Sequence, residues 1–238
     1  MTRSSNTAAL EASLSRRFRI VETRLQIANR SLAILHPASA EDLISEKDFE
    51  QDERLPYWAE LWPSSRVLGE WVVGMSGAGR SLLELGCGAG LVAACASLAG
   101  FEVTVSDYYE DALRFAQVNA WRNGGSTPKT IHLDWRDLSP NLARYDVVVA
   151  SDVLYERPYG GLVARALDAV LASDGVAWIA DPGRVARDNF VRALGPLNLH
   201  LAARTRIPFV EGTVRQTITI LEVRRRAAVG RGKSQPDT

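Results

Sequence analysis

The chain has 238 residues, of which 46% are hydrophobic and 24% are charged, and its formal net charge is zero. These values are typical of one globular domain, and they give no electrostatic reason to expect nucleic acid or a membrane surface as a partner. The two cysteines, Cys87 and Cys95, fit neither a metal-ligand spacing nor a disulfide framework, so we expect no bound metal. Because no signal peptide or membrane span is evident either, we expect a cytoplasmic protein, and a monomer.

The first 55 residues are predicted to form an N-terminal extension with short strands. Residues 1–9 are expected to be frayed, and residues 10–17 to form a short helix. Alternating or short apolar runs predict two strands, over 18–27 and 31–35, while the acidic stretch 42–54 is predicted to be a loop or a broken helix.

Residues 55–63, LPYWAELWP, carry three aromatic residues and two prolines ahead of a helix predicted over 64–73. Trp58 and Trp71 are predicted to pack this helix on the sheet. For Trp62, which enters the helix beside a proline, packing and covering a cofactor are equally supported.

A strand-to-helix turn rich in glycine follows, with the sequence SLLELGCGAGL over 81–91. Leucines before Gly86 predict a buried strand, and the alanine-rich stretch 91–98 predicts a helix. Gly86 and Gly88 allow a tight turn that approaches a ligand, and Gly90 allows the helix to start close to the strand. Leu91 stands where a dinucleotide-binding fingerprint requires a small residue, which disfavours NAD or FAD.

Asp107 ends the next predicted strand, over 101–107, and lies 17 positions after Gly90. This spacing is close to that at which a carboxylate accepts two hydrogen bonds from a ribose diol. The alternative is an N-cap for the helix predicted over 109–121, since Asp is a favoured cap. Next to the glycine turn, the ribose role is favoured.

Asp134 and Trp135 directly follow a strand predicted over 130–133. The carboxylate could accept from an adenine amino group while the indole covers the ring, although Asp and Trp after a strand are often turn and core. The β-branched run 145–150 predicts a central buried strand, which leads into Ser151, Asp152 and Tyr155.

The remaining elements complete an alternation of strands and helices. They comprise a helix over 161–172, a strand over 175–180, a helix over 185–194, and an antiparallel hairpin over 199–207 and 213–224. The fold class is therefore α/β, a Rossmann-like doubly wound, mostly parallel sheet with a C-terminal antiparallel hairpin. It occupies residues 56–224, between the extension at 1–55 and a tail at 225–238 that is expected to be disordered.

The order of these features over residues 56–223 resembles the class I S-adenosylmethionine-dependent methyltransferases. Within that class, the motifs W-P-S-S-x-x-L (62–68), L-E-L-G-C-G-x-G-L (83–91), Asp-Trp (134–135) and S-D-V-L-Y (151–155) are similar to those of the family 16 protein-lysine methyltransferases. These carry a D-x-x-Y signature after the fourth strand. The D-P-G-R tail of the fifth strand (181–184) resembles the branch that methylates the electron-transfer flavoprotein β subunit.

The resemblance implies S-adenosylmethionine as the cofactor and a protein lysine as the methyl acceptor. By position, the residues around the cofactor are Trp62, Glu84, Gly86, Gly88, Gly90, Asp107, Asp134, Trp135 and Ser151. The resemblance places Asp152 and Tyr155 at the acceptor as catalytic residues.

Three alternatives stay open from the sequence. One is N-methylation of a small amine or heterocycle, as in nicotinamide N-methylase-like proteins, and another is a Rossmann domain that binds a nucleotide cofactor without catalysis. An NAD-dependent oxidoreductase is the least favoured, because of Leu91. The signature N/D-P-P-Y/F of many nucleobase methylases is absent, which further disfavours a nucleic acid substrate.

Overall fold

The computed structural model describes residues 3–40, 43 and 56–226. Its helices are α1 (Arg3–Arg17), α2 (Pro63–Val73), α3 (Leu91–Leu98), α4 (Glu110–Gly124), α5 (Tyr159–Val170) and α6 (Arg187–Leu194). Its strands are β1 (Ile20–Ile27), β2 (Arg30–Pro37), β3 (Ser81–Leu85), β4 (Glu102–Asp107), β5 (Lys129–His132), β6 (Tyr145–Ser151), β7 (Leu171–Asp181), β8 (Leu199–Glu211) and β9 (Val214–Arg225). Apart from residue 43, the stretch 42–54 lies outside the described residues, as does the tail beyond 226.

Seven strands form one sheet in the order β5-β4-β3-β6-β7-β9-β8. All neighbours pair in parallel except β9, which is antiparallel to both β7 and β8. The predicted fold class and hairpin are therefore confirmed. Since the chain runs outward from β3 to β5 and then returns to β6, the strand order reverses between β3 and β6. In open α/β sheets such a reversal opens a ligand crevice at the carboxyl ends of the strands.

Both faces of the sheet are covered by helices, which explains the uninterrupted apolar run of β6. Val147 and Val149 pack into the cluster that α2, α3 and α4 cover. Val148 and Ala150 pack into the cluster under α5 and α6. A strand buried on both faces shows no polar alternation, because neither set of side chains meets water. Among the described residues, no helix has the length and apolar character needed to cross a membrane.

The N-terminal extension is more ordered than its sequence suggests. Helix α1 starts at Arg3, so the expectation of a frayed segment was wrong for residues 3–9. The two predicted strands are present as β1 and β2, and they pair with each other in a separate two-stranded sheet. Their apolar side chains pack on the glycine turn and α3 in one buried cluster, which comprises Leu25, Ile27, Leu32, Ile34, Ala89, Leu91, Ala94 and Cys95.

One buried amide fastens this small sheet to the main domain. Asn119 on α4 donates from Nδ2 to the carbonyls of Leu35 (2.7 Å) and Ala89 (2.8 Å). Its Oδ1 accepts from the Leu35 amide at 2.8 Å. Because Asn119 is fully buried, these bonds replace those that the peptide groups would make with water. The extension therefore holds the back of the glycine turn.

Gly90 permits a backbone contact that no other residue allows. It has φ +81°, and a Cβ at this position would lie 2.3 Å from Cα of Ala116. The element that lies against Gly90 is therefore α4. The glycine pattern had predicted instead that Gly90 allows α3 to start close to the strand. A side chain here would push α4 away from α3 at the floor of the crevice.

We predict that Gly90→Ala costs about 2–3 kcal/mol more unfolding free energy than Gly79→Ala, because both adopt left-handed conformations but only Gly90 has a backbone neighbour. Gly79 has φ +74° and nothing within 4 Å of the added Cβ, so it is the matched control for backbone strain. Urea denaturation of both variants measures the difference. Equal losses in the two variants would show that the contact with α4 does not require glycine.

Candidate functional site

A cleft of about 980 Å³, counted with its open mouth, lies at the carboxyl ends of β3, β4 and β6. Its walls come from the glycine turn, the segments after β4, β5 and β6, and the aromatic segment before α2. All the sequence-predicted site residues except Glu84 line it, namely Trp62, Gly86, Gly88, Gly90, Asp107, Asp134, Trp135, Ser151, Asp152 and Tyr155. The tertiary fold thus gathers five sequence segments at one opening.

The glycine turn forms one wall of the cleft. Gly86 and Gly88 have φ +68° and +50°, in the left-handed region that glycine adopts readily. The amides of Gly86 and Cys87 donate to the carbonyl of Ser106 at 2.9 and 3.0 Å, which ties the turn to β4. The turn leads into the N-terminus of α3, where free amides and the helix dipole favour polar or anionic groups.

Asp107 lies at the end of β4 and faces this turn. Its Oδ2 accepts from the Gly88 amide and its Oδ1 from the Tyr109 amide, both at 3.0 Å. The N-cap residue of α4 is Tyr109, so Asp107 does not occupy the N-cap position that was the alternative to the ribose role. Burial raises the pKa of Asp107, and the two amide hydrogen bonds partly offset this rise. Carboxylate lone pairs remain for hydroxyl donors from the cleft.

Asp134 and Trp135 form the wall beyond β5. Asp134 pairs with Arg136, whose Nη2 lies 2.7 Å from Oδ2 and whose Nε lies 2.9 Å from Oδ1. The guanidinium of Arg136 in turn lies over the Tyr108 ring, 5.4 Å from its centroid. Any group that binds Asp134 therefore shares this carboxylate with Arg136.

The opposite wall carries a chain of aromatic rings that we call the aromatic lip: Tyr57, Trp62, Tyr155 and Tyr159. Ring centroids are 6.1 Å apart for Tyr57 and Trp62, and 5.4 Å apart for Tyr57 and Tyr155. Tyr155 and Tyr159 follow at 4.8 Å. Trp62 Nε1 donates to the carbonyl of Tyr57 at 3.0 Å, which fixes the indole at the cleft.

Of the other two tryptophans of this region, Trp71 packs α2 on the sheet as predicted, whereas Trp58 packs against Phe18 and α4 instead. Trp58 contacts the rings of Phe18, Phe115 and Tyr109, with centroids 5.8–6.3 Å away, although its edge still reaches the cleft. Trp71 lies against Trp178 in the core, with centroids 6.5 Å apart.

Asp152 is the centre of a second arrangement, which we call the Asp152 clamp. Ser64 Oγ donates to its Oδ2 at 3.0 Å, and Arg184 Nε donates to its Oδ1 at 2.5 Å. Arg184 also lies over the Trp62 ring, 5.2 Å from the centroid. The Asp152 side chain is only 5% exposed and its φ is +59°, a conformation rare for a residue with a side chain. The clamp joins α2, the end of β6 and the turn after β7.

A second buried carboxylate holds the turn that carries Arg184. Asp181 is fully buried and accepts from the amides of Gly183 (2.8 Å) and Arg184 (3.2 Å). Burial raises the pKa of Asp181, while these amides partly lower it. The motif D-P-G-R thus orients the guanidinium through its own first residue.

Ser64 and Arg184 are site residues that the sequence analysis did not assign. Ser64 lies in the motif W-P-S-S and Arg184 in the motif D-P-G-R, and both motifs contributed to the family resemblance. That shared position in the motifs was the one sequence signal that could have identified them. Their partner Asp152 follows a different strand, so the connection exists only in three dimensions.

Cys87 lies within the glycine turn and lines the cleft. Burial raises the pKa of the Cys87 thiol well above its usual value, so the cleft holds no thiolate nucleophile at neutral pH. In the part of the chain that the structure describes, no three His, Cys, Asp or Glu side chains are grouped to hold a metal ion.

Glu84 lies beneath the glycine turn rather than in the cleft. It is 1% exposed, and its Oε2 has no hydrogen-bond partner among the described residues. Burial raises the pKa of Glu84 well above its usual value, and a hydrogen bond with the Ala93 amide only partly offsets this. Its position indicates a support for the turn and for the start of α3.

We predict that Glu84→Gln removes part of the pH dependence of stability. Because the pKa of Glu84 is raised in the folded state, this carboxyl costs no stability below its unfolded pKa. Stability then falls as pH rises from there through the folded pKa. As pH rises above about 5, the wild type should lose more unfolding free energy than the variant in urea titrations. Parallel curves for the two proteins would contradict this assignment.

The sequence of the chain is similar to those of known lysine methyltransferases. The chain is 28% identical over 155 residues to EEF1A lysine methyltransferase 3 of Mus musculus, covering 62% of this chain and 66% of that protein. It is 26% identical over 157 residues to the electron transfer flavoprotein beta subunit lysine methyltransferase of Danio rerio, covering 64% and 59%. The chain spans 34% to 66% of the length of the first curated relatives that it matches.

Solved structures agree on the fold. Magnesium protoporphyrin IX methyltransferase from Synechocystis PCC 6803, solved with bound SAM, superposes with a TM-score of 0.55 at 19% identity, over 78% of this chain and 94% of that one. A family profile described as lysine methyltransferase matches residues 45–194, which is more than half of the chain. This match confirms the resemblance that the sequence motifs predicted. The chain belongs to the lysine methyltransferase family.

Proposed function

We propose that this protein is an S-adenosylmethionine-dependent N-methyltransferase that acts on a lysine side chain of a protein substrate. The observation that carries the proposal is the cleft between β3 and β6, which joins a nucleotide-type wall to an aromatic and carboxylate wall. Membership of the lysine methyltransferase family supports both the reaction and the acceptor class. The cytoplasmic location, the monomeric state and the absence of a nucleic acid substrate stay predictions.

The first wall fits the cofactor. Gly88 packs against the backbone of the aromatic segment, since a Cβ there would lie 3.0 Å from the Trp58 carbonyl oxygen, so the turn is fixed at the edge of the cleft. In the proposal, the turn holds the methionine end and Asp107 accepts the ribose hydroxyls, while Asp134, shared with Arg136, and Trp135 hold the adenine. When bound, S-adenosylmethionine supplies an electrophilic methyl group on sulfur.

The second wall fits an amine acceptor. A lysine ammonium has to lose its proton before it can attack, which at pH 7 costs about 4–5 kcal/mol from its reference pKa. A bare carboxylate would stabilise the ammonium and raise that cost. Asp152 is instead paired with Arg184, 2.5 Å away, so its charge is largely balanced. Asp152 can thus orient the acceptor amine without stabilising the protonated form of that amine.

The aromatic lip complements this pairing. Tyr155 and Trp62 line the cleft on either side of Tyr57, and they present ring faces and edges rather than further charges. Rings that exclude water from the amine disfavour its charged form and lower its pKa. Because methyl transfer is an in-line displacement, holding the neutral amine at attack distance supplies most of the catalysis.

The function is tested with tritiated S-adenosylmethionine and lysate from a strain that lacks this gene. A discrete labelled protein band that releases methyl-lysine on hydrolysis is the expected result. Label found only in the small-molecule fraction would overturn the lysine proposal in favour of a small amine. Cofactor binding without any transfer would indicate a non-catalytic binding domain.

We predict that Asp107→Ala weakens the binding of S-adenosylhomocysteine by about tenfold or more, since a hydrogen bond to a charged group contributes about 1.5–3 kcal/mol. Asp137→Ala is the control, because Asp137 is an exposed carboxylate that follows Asp134 but does not line the cleft. Isothermal calorimetry measures both variants. Equal affinities would remove Asp107 from the cofactor site, and tight binding of NAD instead would overturn the cofactor.

We predict that Arg184→Met shifts the pH of half-maximal methyl transfer upward by about one unit, because the unpaired Asp152 then holds the proton on the acceptor amine. Affinity for S-adenosylhomocysteine should stay unchanged. The control is Arg187→Met, since Arg187 begins α6 three residues after Arg184 and approaches Asp181 at 3.7 Å without touching Asp152. If the two variants share one pH profile, the charge balance at Asp152 plays no part in catalysis.

A further inference from the structure

Three exposed arginines of the C-terminal hairpin lie on the same face of the sheet. Arg204 and Arg206 are two positions apart on β8, and Arg215 on β9 pairs with Val210, four positions beyond Arg206. Side chains two positions apart on a strand share a face, and so do directly paired residues of antiparallel strands. All three arginines are exposed. We call this surface the basic face.

The charge of the basic face is not balanced within the described part of the chain, where none of its three arginines forms an ion pair. The only acidic residues of the hairpin are engaged elsewhere. Glu211 pairs with Arg66 of α2, and Glu222 pairs with Arg224 at 2.7 Å. Arg204 and Arg206, two positions apart on β8, repel each other, so the arrangement gains stability from an anionic partner.

The acids lie on the opposite face of the hairpin. Glu222 pairs in register with Trp178 of β7, whose ring lies in the cluster under α2. Arg204 pairs with Leu221, whose side chain lies in the cluster under α5 and α6. Alternation along β8 and β9 therefore separates the hairpin's two carboxylates from the basic face.

The basic face lies next to the cleft on its acceptor side. Arg206 pairs with Thr219 of β9, and Thr219 pairs with Asp181 at the end of β7. Neighbouring strands are about 4.8 Å apart, so the backbones at Arg206 and Asp181 are about 10 Å apart. Asp181 begins the turn whose Arg184 contacts Asp152 and Trp62 in the cleft wall.

We propose that the basic face binds an acidic segment of the protein substrate close to the acceptor lysine. This rests on the proposed function and adds to it the kind of substrate sequence that the enzyme selects. Arg204 and Arg206 are about 7 Å apart along the strand, which matches carboxylates on alternate residues of an extended peptide. A formal net charge of zero and family membership favour a protein over a nucleic acid.

The test uses two fluorescein-labelled peptides that share a central lysine, one flanked by glutamates and one by glutamines. Binding to the full chain is followed by fluorescence anisotropy at low salt with S-adenosylhomocysteine present, and methyl transfer to both peptides is measured separately. The variant is R204E/R206E. The control is R30E/R165E, which reverses two exposed arginines on other surfaces with the same change in net charge.

The glutamate peptide should bind wild type at least tenfold more tightly than the glutamine peptide. R204E/R206E should lose that difference, while R30E/R165E keeps it. Equal loss in the two variants, no preference in wild type, or tighter binding of a single-stranded oligouridylate would overturn the proposal. If the preference holds but neither peptide is methylated, the docking inference stands and the proposed lysine activity is the part that fails.

Discussion

The approach of the glycine turn to α4 is the constraint on which the rest of the structure depends. At Gly90 the two backbones come so close that an added Cβ would sit 2.3 Å from Ala116 Cα. That contact sets where α3 begins and how deep the crevice is. Asn119 on the same helix, α4, forms side-chain hydrogen bonds with the backbone of Ala89 in the turn and of Leu35 in the small N-terminal sheet. The wall proposed to bind the cofactor and the N-terminal extension are therefore one packed unit.

The wall proposed to bind the acceptor depends on a different kind of interaction, a carboxylate shared between elements that are distant in sequence. Asp152 joins Ser64 at the start of α2 to Arg184 after β7, and Arg184 completes the connection by lying over Trp62. Such a buried, bonded charge is costly to break, since either partner left alone would be an unpaired charge. The strained backbone of Asp152 is held by this network and places its carboxylate at the wall of the cleft.

Sequence patterns predicted the regular elements of the main domain well, because those patterns are local. β3 and β6 are apolar runs buried on both faces, and α3 was predicted with its observed ends. The start of α1 was missed because its first residues are polar and carry little helical periodicity. That helix is held by packing of Leu14 on Phe115 and by the Arg17–Asp111 ion pair at 2.6 Å, which are tertiary contacts.

By itself, the sequence determined the fold class, the glycine turn and the carboxylates that end β4 and β6. Each of these features depends on the backbone conformation or on the burial of a short segment. Backbone conformation and burial both leave a pattern in the local sequence. Only the tertiary structure decided that Glu84 lies under the turn, that Arg184 balances Asp152, and that three arginines share one face of the hairpin. The Arg184–Asp152 contact joins segments far apart in the chain, and the burial of Glu84 and the face on which each arginine lies depend on strand order and register, which no single stretch of sequence encodes.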